Sequence, residues 1–153
     1  MVRMTDLPDY EREYLLEVPC PTFDSDPWVA GPPVAERRVA IISTAGLQRR
    51  EDRPFVRDDA DYRVFHKDTD SADIVMSHVS VNFDRTGFQQ DLNVVFPVER
   101  LKELEAEGAI GSVADYHYSF MGSTTPDDME PLVREIAGYL REDCVDAVLL
   151  APV

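Results

Sequence analysis

The sequence is poor in the residues that build metal sites and disulfides. It contains two cysteines, Cys20 and Cys144, and three histidines in 153 residues. The cysteines form no CxxC pair, and no histidine lies at a zinc-ligand spacing from either of them. We therefore expect no metal site and no structural disulfide. We predict that Cys144 is a small, partly buried hydrophobic residue.

Long apolar segments are also absent. No stretch approaches the roughly 20 residues that a membrane-spanning helix needs. The N-terminal segment MVRMTDLPDYEREYLLEV carries charges throughout and contains no apolar segment of signal-peptide length. These absences predict a cytoplasmic protein that does not bind or span a membrane.

Positive charge is scarce. Lys and Arg together number 15 against 30 Asp and Glu, and the formal net charge is −15. Nucleic acids and anionic membranes attract basic surfaces, so this balance argues against both as partners. The sequence also has no GxGxxG dinucleotide motif and no P-loop. We expect no bound cofactor.

Residues 1–36 differ in composition from the rest of the chain. Six of the 11 prolines lie here. Because proline fixes φ and removes a backbone donor, we predict an extended, Pro-rich arm with one short helix in YEREYLLE. Tyr14, Phe23 and Trp28 suggest that the arm docks on an apolar surface, either on the chain's own domain or on a partner.

Residues 37–153 alternate between strand and helix patterns. Buried strands are predicted in RRVAIISTAG (37–46), ADIVMSHV (72–79), SVADYHYSFMGS (112–123) and CVDAVLLAPV (144–153), with DYRVF (61–65) as a short edge strand. Helices are predicted over 96–108 and 124–143; Pro97 and Pro126 mark their starts and Gly108 the end of the first. The alternation predicts an α/β, three-layer domain with a mostly parallel sheet, similar to half of a Rossmann or flavodoxin-like fold.

The last predicted strand is apolar without alternation from Ala147 to Ala151. Such a run is typical of a strand that is covered on both faces of a parallel sheet. Strands of this kind normally continue into a loop that carries function. The sequence instead ends two residues later, at Val153.

Ligands of open parallel sheets bind outside the carboxyl ends of the strands. Four segments are predicted to meet there: Ser43–Gly46, Ser77–His78, Ser119–Ser123 and whatever follows Val153. Small residues in such loops expose backbone N–H groups to an anionic or carbonyl-bearing ligand. The same residues are also ordinary turn formers, so both interpretations stay open here.

His78 ends a predicted strand, and Asp84 and Asp91 follow in a long polar loop. A histidine beside a carboxylate can act as a general acid or base. From spacing alone, a histidine that caps the strand end by a hydrogen bond is the simpler interpretation. His117 is predicted to lie on the sheet surface, and His66 in a solvated loop.

Three segments, VAIISTAGL (39–47), MSHVSVNFDRTGFQQDLNVVFPVERLKELEAEGAIG (76–111) and YHYSFMGS (116–123), closed by VDAVLLAPV (145–153), resemble the selenoprotein B family. That family comprises the B components of glycine, sarcosine and betaine reductases and the related D-proline reductase subunit. The likeness runs in order over residues 37–153 and leaves out the arm.

The resemblance implies the reductive cleavage of a C–N bond of an amino acid or amine. A selenolate, or a Cys thiolate in some members, attacks the carbon beside the leaving amine, and dithiol chemistry reduces the product. In similar family members the DAVLL-PV strand runs directly into that selenocysteine or cysteine. We therefore expect that a UGA codon follows Val153, that the α/β fold is incomplete, and that the 153-residue chain alone is inactive.

The resemblance also gives candidate site residues. It implies catalytic roles for His78 and Asp84. Substrate or nucleophile positioning is expected from a further set: Thr44, Gly46, Asn93, Ser119 and Gly122. The implied partners are a small amine or amino-acid substrate and a pyruvoyl-bearing or thiol-redox protein. Two other functions stay open: a non-catalytic interaction subunit, and a small carboxylate-binding module that uses the loops of Thr44 and Gly122.

Overall fold

The computed structural model describes residues 3–18, 22, 24, 28–80 and 85–153. The predicted roles of Cys20, Phe23 and Asp84 therefore fall outside the described residues. Within these described residues, seven strands and four α-helices follow one another: α1 (Asp9–Glu17), β1 (Arg38–Ser43), β2 (Leu47–Arg49), β3 (Tyr62–His66), β4 (Ile74–Met76), α2 (Thr86–Gln90), α3 (Val98–Ala106), β5 (Ser112–Val113), β6 (Tyr116–Phe120), α4 (Pro126–Glu142) and β7 (Ala147–Ala151).

The main sheet has the order β3–β6–β1–β7, and β5 pairs with the start of β1. Strands β5, β6 and β7 run parallel to β1, whereas β3 runs antiparallel to β6. This confirms a mixed α/β chain with a mostly parallel sheet. The predicted edge strand in DYRVF is confirmed as β3, with exposed Val64 and buried Phe65 on opposite faces.

The segment 72–79 departs from its prediction. Only Ile74–Met76 is a strand, and it pairs antiparallel with β2 in a separate two-stranded sheet. The prediction of a buried parallel strand here was wrong, because a short apolar run does not indicate which strand it pairs with. The pair nevertheless carries His78 toward the end of β1, since Ser77 N donates to Gly46 O at 2.9 Å.

Two apolar clusters contact alternate residues of β1. One cluster joins Val39 and Ile41 to Phe65, Phe96 and α3. The other contains Tyr118, Phe120 and Ile136 of α4, with Ile42 packed against it. Because neighbouring residues of a strand point to opposite faces, the two clusters lie on opposite sides of β1. The three-layer, Rossmann-like arrangement stays a prediction.

Both predicted helices form. Thr125 caps α4 by accepting a hydrogen bond from Asp128 N, and Pro126 is the first helical residue. Helix α3 begins one residue later than predicted, so that Pro97 is its N-cap. Gly108 follows α3 with φ of +72°, the left-handed conformation that terminates helices.

The prediction that both faces of β7 are covered was wrong, because side chains on both faces of this strand are exposed. The exposed fractions are 39% for Val148, 39% for Leu149 and 67% for Leu150. Its partner in the sheet is β1, on one side. An apolar run predicts a strand whose side chains are suited to burial. It does not predict whether another element of the same chain packs on those side chains. Cys144 is also exposed, at φ of +54°, rather than partly buried.

The predicted short helix of the arm is confirmed as α1. Tyr14 and Trp28 are exposed, with 69% and 87% of their surface accessible, so the described part of the arm does not bury these rings. The side chain of Arg37 donates to Pro32 O at 2.8 Å and joins the end of the arm to β1. In the described residues, no helix is both long enough and apolar enough to cross a membrane.

Candidate functional site

The carboxyl ends of the three longest parallel strands of the main sheet lie side by side. Ser43 at the end of β1 is in register with Ser119 of β6 and with Ala151 of β7. The next residue continues the alignment, because Thr44 N donates to Ala151 O at 3.1 Å. The sheet therefore brings the predicted loop of β1, the predicted loop of β6 and the C-terminal residues of the chain together.

Thr44 holds Val153 by two hydrogen bonds. Val153 N donates to Thr44 Oγ1 at 2.8 Å, and the same hydroxyl lies 3.3 Å from Val153 O, to which it donates. The side chain that was expected to contact substrate is thus engaged with the backbone of β7. Its observed effect is to fix the direction in which the chain leaves the sheet.

Gly122 lies where these strand ends are closest. A Cβ atom at this position would lie 2.4 Å from Val153 O, 2.7 Å from Thr44 O and 2.9 Å from His78 Nε2. Such distances are shorter than real carbon contacts, and two of the three neighbours are backbone atoms. Glycine is therefore required here for close packing, and Gly122, Thr44, His78 and Val153 form one cluster, which we call the Val153 corner.

Gly46 brings His78 to this corner. Its φ of +64° turns the chain after β1. Its N–H donates to Phe120 O at 2.8 Å, and its carbonyl accepts from Ser77 N. A Cβ atom at Gly46 would approach the backbone N and Cα of His78 to 3.1 Å. The predicted role of Gly46 in substrate binding stays a prediction, but the structure places it as the link between β1, β6 and the segment after β4.

His78 is buried, with 6% of its surface exposed. Its Nδ1 accepts a hydrogen bond from Ser80 N at 3.1 Å, so in the neutral ring Nε2 carries the proton. Burial lowers the pKa of His78, and the positive charge of Arg85 lowers it further, whereas a hydrogen bond with the backbone of Val153 acts in the opposite direction. The corner therefore contains a neutral imidazole whose Nε2–H can donate to a carbonyl, a carboxylate or a leaving amine.

Two predicted residues serve other parts of the structure. Ser119 is fully buried, and its Oγ accepts a hydrogen bond from Leu47 N at 2.9 Å. The amide nitrogen of Asn93 donates to Asp91 at 2.9 Å and to Glu99 at 3.2 Å, in the turn before α3. Their predicted contacts with substrate stay predictions, and so does the catalytic role of Asp84, which is outside the described residues.

His117 is a core residue rather than a surface residue, which corrects its prediction. It is fully buried, its Nδ1 accepts from Ile41 N at 3.0 Å, and its ring packs edge-on against Phe96 at 5.7 Å. Burial lowers the pKa of His117 to about 4. The prediction failed because alternation along β6 gives the two faces of the strand but not which elements cover them.

The sequence predicted that the chain beyond Val153 reaches this site, but it did not predict the part played by the backbone of Val153 itself. Its carbonyl and amide are the acceptor and donor around which the corner is built, yet its side chain carries no chemistry of its own. The available signal was positional, since a strand end beside two small-residue loops is where ligands bind in parallel sheets.

In the part of the chain that the structure describes, the corner has no cysteine and no metal-binding group. No set of three His, Cys, Asp or Glu residues there could hold a metal ion. Cys144 precedes β7, so it lies at the opposite end of the strand from Val153, roughly 25 Å away at about 3.3 Å per residue. The corner can orient a nucleophile and donate a hydrogen bond, but its described residues do not supply the nucleophile.

The family profile for glycine/sarcosine/betaine reductase selenoprotein B matches residues 8–153, which corrects the expectation that the likeness leaves out residues 1–36. The chain is 33% identical to the D-proline reductase subunit gamma of Acetoanaerobium sticklandii. The alignment is 115 residues long and covers 73% of this chain and 47% of that protein. It is 30% identical over 148 residues to the glycine reductase complex component B subunit gamma of Symbiobacterium thermophilum, over 90% of this chain and 33% of the relative.

A third relative is the betaine reductase complex component B subunit beta of Peptoclostridium acidaminophilum. It is 26% identical over 146 residues, which amount to 91% of this chain and 33% of that protein. The chain thus spans between a third and a half of the length of these relatives. No solved structure matches it.

Proposed function

Because the chain belongs to the glycine/sarcosine/betaine reductase selenoprotein B family, we propose that it is a component of a reductase complex that cleaves a C–N bond of an amino acid or amine derivative. The relatives are named as components or subunits of glycine, betaine and D-proline reductases. We propose the same class of reaction for this chain when a residue that supplies the nucleophile is joined to Val153.

The observation that carries the proposal is the Val153 corner. The family resemblance implies that the reactive selenocysteine or cysteine directly follows the strand that corresponds to β7. Here the hydroxyl of Thr44 is hydrogen-bonded to both the backbone N and the backbone O of Val153. There is no space for a side chain at Gly122, because a Cβ atom there would lie 2.4 Å from Val153 O. A residue attached to Val153 would therefore start from a fixed direction, next to the Nε2–H of His78.

In the proposed reaction, the selenolate or thiolate of that residue attacks the carbon that carries the amine. A carbon–selenium or carbon–sulfur bond forms as the C–N bond breaks, and the amine departs with the bonding electron pair. A dithiol then supplies two electrons, is oxidised to the disulfide, and releases the carbon as C–H. We assign the single Nε2–H of His78 to donate a hydrogen bond to the substrate, in place of its bond with the backbone of Val153.

The test is dithiol-dependent release of amine by a chain that extends beyond Val153. It would be produced with cysteine or selenocysteine after Val153, and again with alanine at that position, and assayed on glycine, sarcosine, betaine and D-proline with its partner subunits present. We expect turnover that requires the selenol or thiol. Equal turnover by the alanine variant, or turnover by the 153-residue chain alone, would refute the proposal.

One observation favours the alternative of a non-catalytic interaction subunit. Several large apolar side chains of the described arm are exposed, among them Leu16, Trp28 and Val29. Exposed apolar residues in a Pro-rich arm are suited to a protein partner. If the alanine variant had full activity in the assembled complex, this alternative would replace the catalytic proposal, and removal of residues 1–36 should then dissociate the complex.

A further inference from the structure

A cavity that is separate from the Val153 corner lies between α4 and the strands β3 and β6. It has a volume of about 520 Å³ and is lined by Tyr62, Val64, Tyr116, Tyr118, Tyr139, Glu142 and Asp143. Along β6, Tyr118 lies four residues before Gly122 and Tyr116 six residues before it, and Tyr62 is paired with Phe120. The cavity therefore begins near the Val153 corner and extends to about 20 Å from it, at about 3.3 Å per residue. This cavity, which we call the tyrosine groove, takes no part in the function proposed above.

The groove follows from the way α4 covers the sheet. Val64 and Tyr118 are directly paired across β3 and β6 and form its floor. Helix α4 buries Ile136 against Tyr118 and Phe120 but leaves the edge strand uncovered, so that 42% of Val64 and 48% of Tyr116 stay exposed. The last turns of α4 form the opposite wall with Tyr139. A ligand can therefore enter the groove without movement of the helix.

Four tyrosine rings surround a small volume. Tyr62 and Tyr118 pack edge-to-face with ring centroids 5.9 Å apart. The hydroxyl of Tyr139 donates to Glu135 at 2.6 Å, which holds this ring at the wall of the groove. The faces of aromatic rings carry partial negative charge, so several rings around one space attract a cation and also offer it apolar contact.

The charged residues of the groove are acidic. Asp143 is neutralised by Arg38, with which it forms an ion pair. In the described part of the chain, neither Glu142 nor Glu135 forms an ion pair with Lys or Arg, and no Lys or Arg lines the groove. The groove thus combines aromatic walls with one lining carboxylate, that of Glu142, which no Lys or Arg of the described residues pairs with.

We propose that the tyrosine groove binds a small organic cation that carries a tertiary or quaternary alkylammonium group. Methyl groups on the nitrogen contact the rings and spread the charge over a surface that needs little hydration, which suits aromatic walls better than a bare ammonium ion does. A cavity of this volume accommodates a small molecule and is of the size typical of ligand pockets.

The binding test uses tetramethylammonium chloride as the probe and the 153-residue chain, followed by amide NMR shifts. Tertiary butanol serves as a neutral probe of similar shape, and ammonium chloride as a cation without methyl groups. We expect saturable shifts at Val64, Tyr118 and Tyr139 with tetramethylammonium, and binding at least about tenfold weaker for both controls. Equal binding of tertiary butanol, or no saturable shift at these residues, would overturn the proposal.

Two substitutions test the walls of the groove. Tyr139→Leu keeps an apolar side chain but removes the ring, and Glu142→Gln removes a charge at the rim. We expect tetramethylammonium to bind about fivefold more weakly to the first and about threefold more weakly to the second. Tyr14→Leu, on the exposed face of α1, is the matched control and should bind as the original chain does. Unchanged affinity of Tyr139→Leu would contradict the proposal.

A peptide that contains trimethyl-lysine distinguishes a protein partner from a free ligand. The proposal expects the peptide and tetramethylammonium to bind with similar affinity, since only the alkylammonium group is recognised. Much tighter binding of the peptide would assign the groove to a partner protein and overturn the small-molecule proposal. Both results are independent of reductase activity, so the failure of either proposal leaves the other standing.

Discussion

At the scale of single residues, Gly122 is the position where the Val153 corner tolerates least change. We predict that Gly122→Ala lowers the free energy of unfolding by about 1–3 kcal/mol, because the added methyl group must displace backbone rather than a flexible side chain. Its Cβ would lie 2.4 Å from Val153 O and 2.7 Å from Thr44 O. Urea-induced unfolding, followed by circular dichroism, measures the effect.

Gly138 provides the matched control for this substitution. It lies within α4, and a Cβ atom there would meet nothing within 4 Å. Gly138→Ala should therefore raise stability by about 0.5–1 kcal/mol through the better helix propensity of alanine. If both substitutions changed stability by the same amount and sign, the close packing described for Gly122 would be wrong.

The buried His117 predicts a loss of stability in mild acid. Burial lowers the pKa of this ring to about 4 from 6.5, so between these values the unfolded chain binds a proton that the folded chain does not. Stability is therefore complete above pH 6.5 and falls as the pH is lowered toward about 4, by on the order of 3 kcal/mol. Unfolding free energies measured in urea at a series of pH values give the curve.

The carboxylates of the protein also titrate in this range, so the comparison must isolate His117. His117→Gln keeps an acceptor for Ile41 N but does not titrate, and its stability should depend less on pH between 6.5 and 4 than that of the original chain. His66→Gln, at an exposed site, should leave the curve unchanged. Parallel curves for the original chain and His117→Gln would contradict the assignment.

These residues show what a single sequence can and cannot predict about a site. His78 and Gly122 were predicted because strand ends and small residues indicate the ligand-binding edge of a parallel sheet. The hydrogen bonds of Thr44 to Val153 could not be predicted, because they depend on the register between two segments that are 109 residues apart in the sequence. The burial of His117 was missed for a related reason: alternation does not indicate which face a distant element covers.

At the scale of elements, the position of Val153, beyond the end of β7, depends on one hydroxyl group, that of Thr44. Thr44→Val removes the acceptor of Val153 N, while the bond from Thr44 N to Ala151 O remains. We predict a local loss of about 1 kcal/mol, which corresponds to roughly fivefold faster amide exchange at Val153. Hydrogen exchange followed by NMR measures it.

Thr44→Ser is the control, since it keeps the hydroxyl and should retain the slow exchange of the Val153 amide. Exchange at Ala40, in the middle of β1, should not change in either variant. If Val153 exchanged at the same rate in all three proteins, Thr44 would not hold this residue.

The strands differ in how well the sequence predicts them. In β3, the segment DYRVF gave the strand although polar and apolar residues do not alternate there, since the buried positions are Arg63 and Phe65 and Val64 is exposed. In β7 the apolar run gave the strand but suggested cover on both faces, whereas Leu150 is 67% exposed. Burial is a property of the whole assembly, so a local pattern cannot show whether the covering element lies within the 153 residues.

At the scale of the whole molecule, the exposed edge of β7 predicts self-association of the 153-residue chain. Val148, Leu149 and Leu150 are apolar and exposed on a strand that pairs with β1 on one side, and such edges pair with other chains. We expect sedimentation velocity to show concentration-dependent oligomers at micromolar protein. Leu150→Lys should shift the equilibrium toward monomer by placing a charge on this edge.

Val56→Lys is the control for added charge, because Val56 is 52% exposed in a loop away from any strand. It changes the net charge equally but should leave the oligomers as they are. If the original chain stayed monomeric, or if both lysine variants acted alike, β7 would not be the associating surface.

The central proposal is that the nucleophile of the reductase is attached next to Val153. The most direct measurement is the nucleotide sequence of the codon after Val153 and of the frame beyond it. We predict a UGA codon followed by an open frame that encodes the rest of a selenoprotein B-like chain. A UAA or UAG codon with no coding sequence beyond it would contradict the claim, and the search for the nucleophile would then turn to a partner subunit.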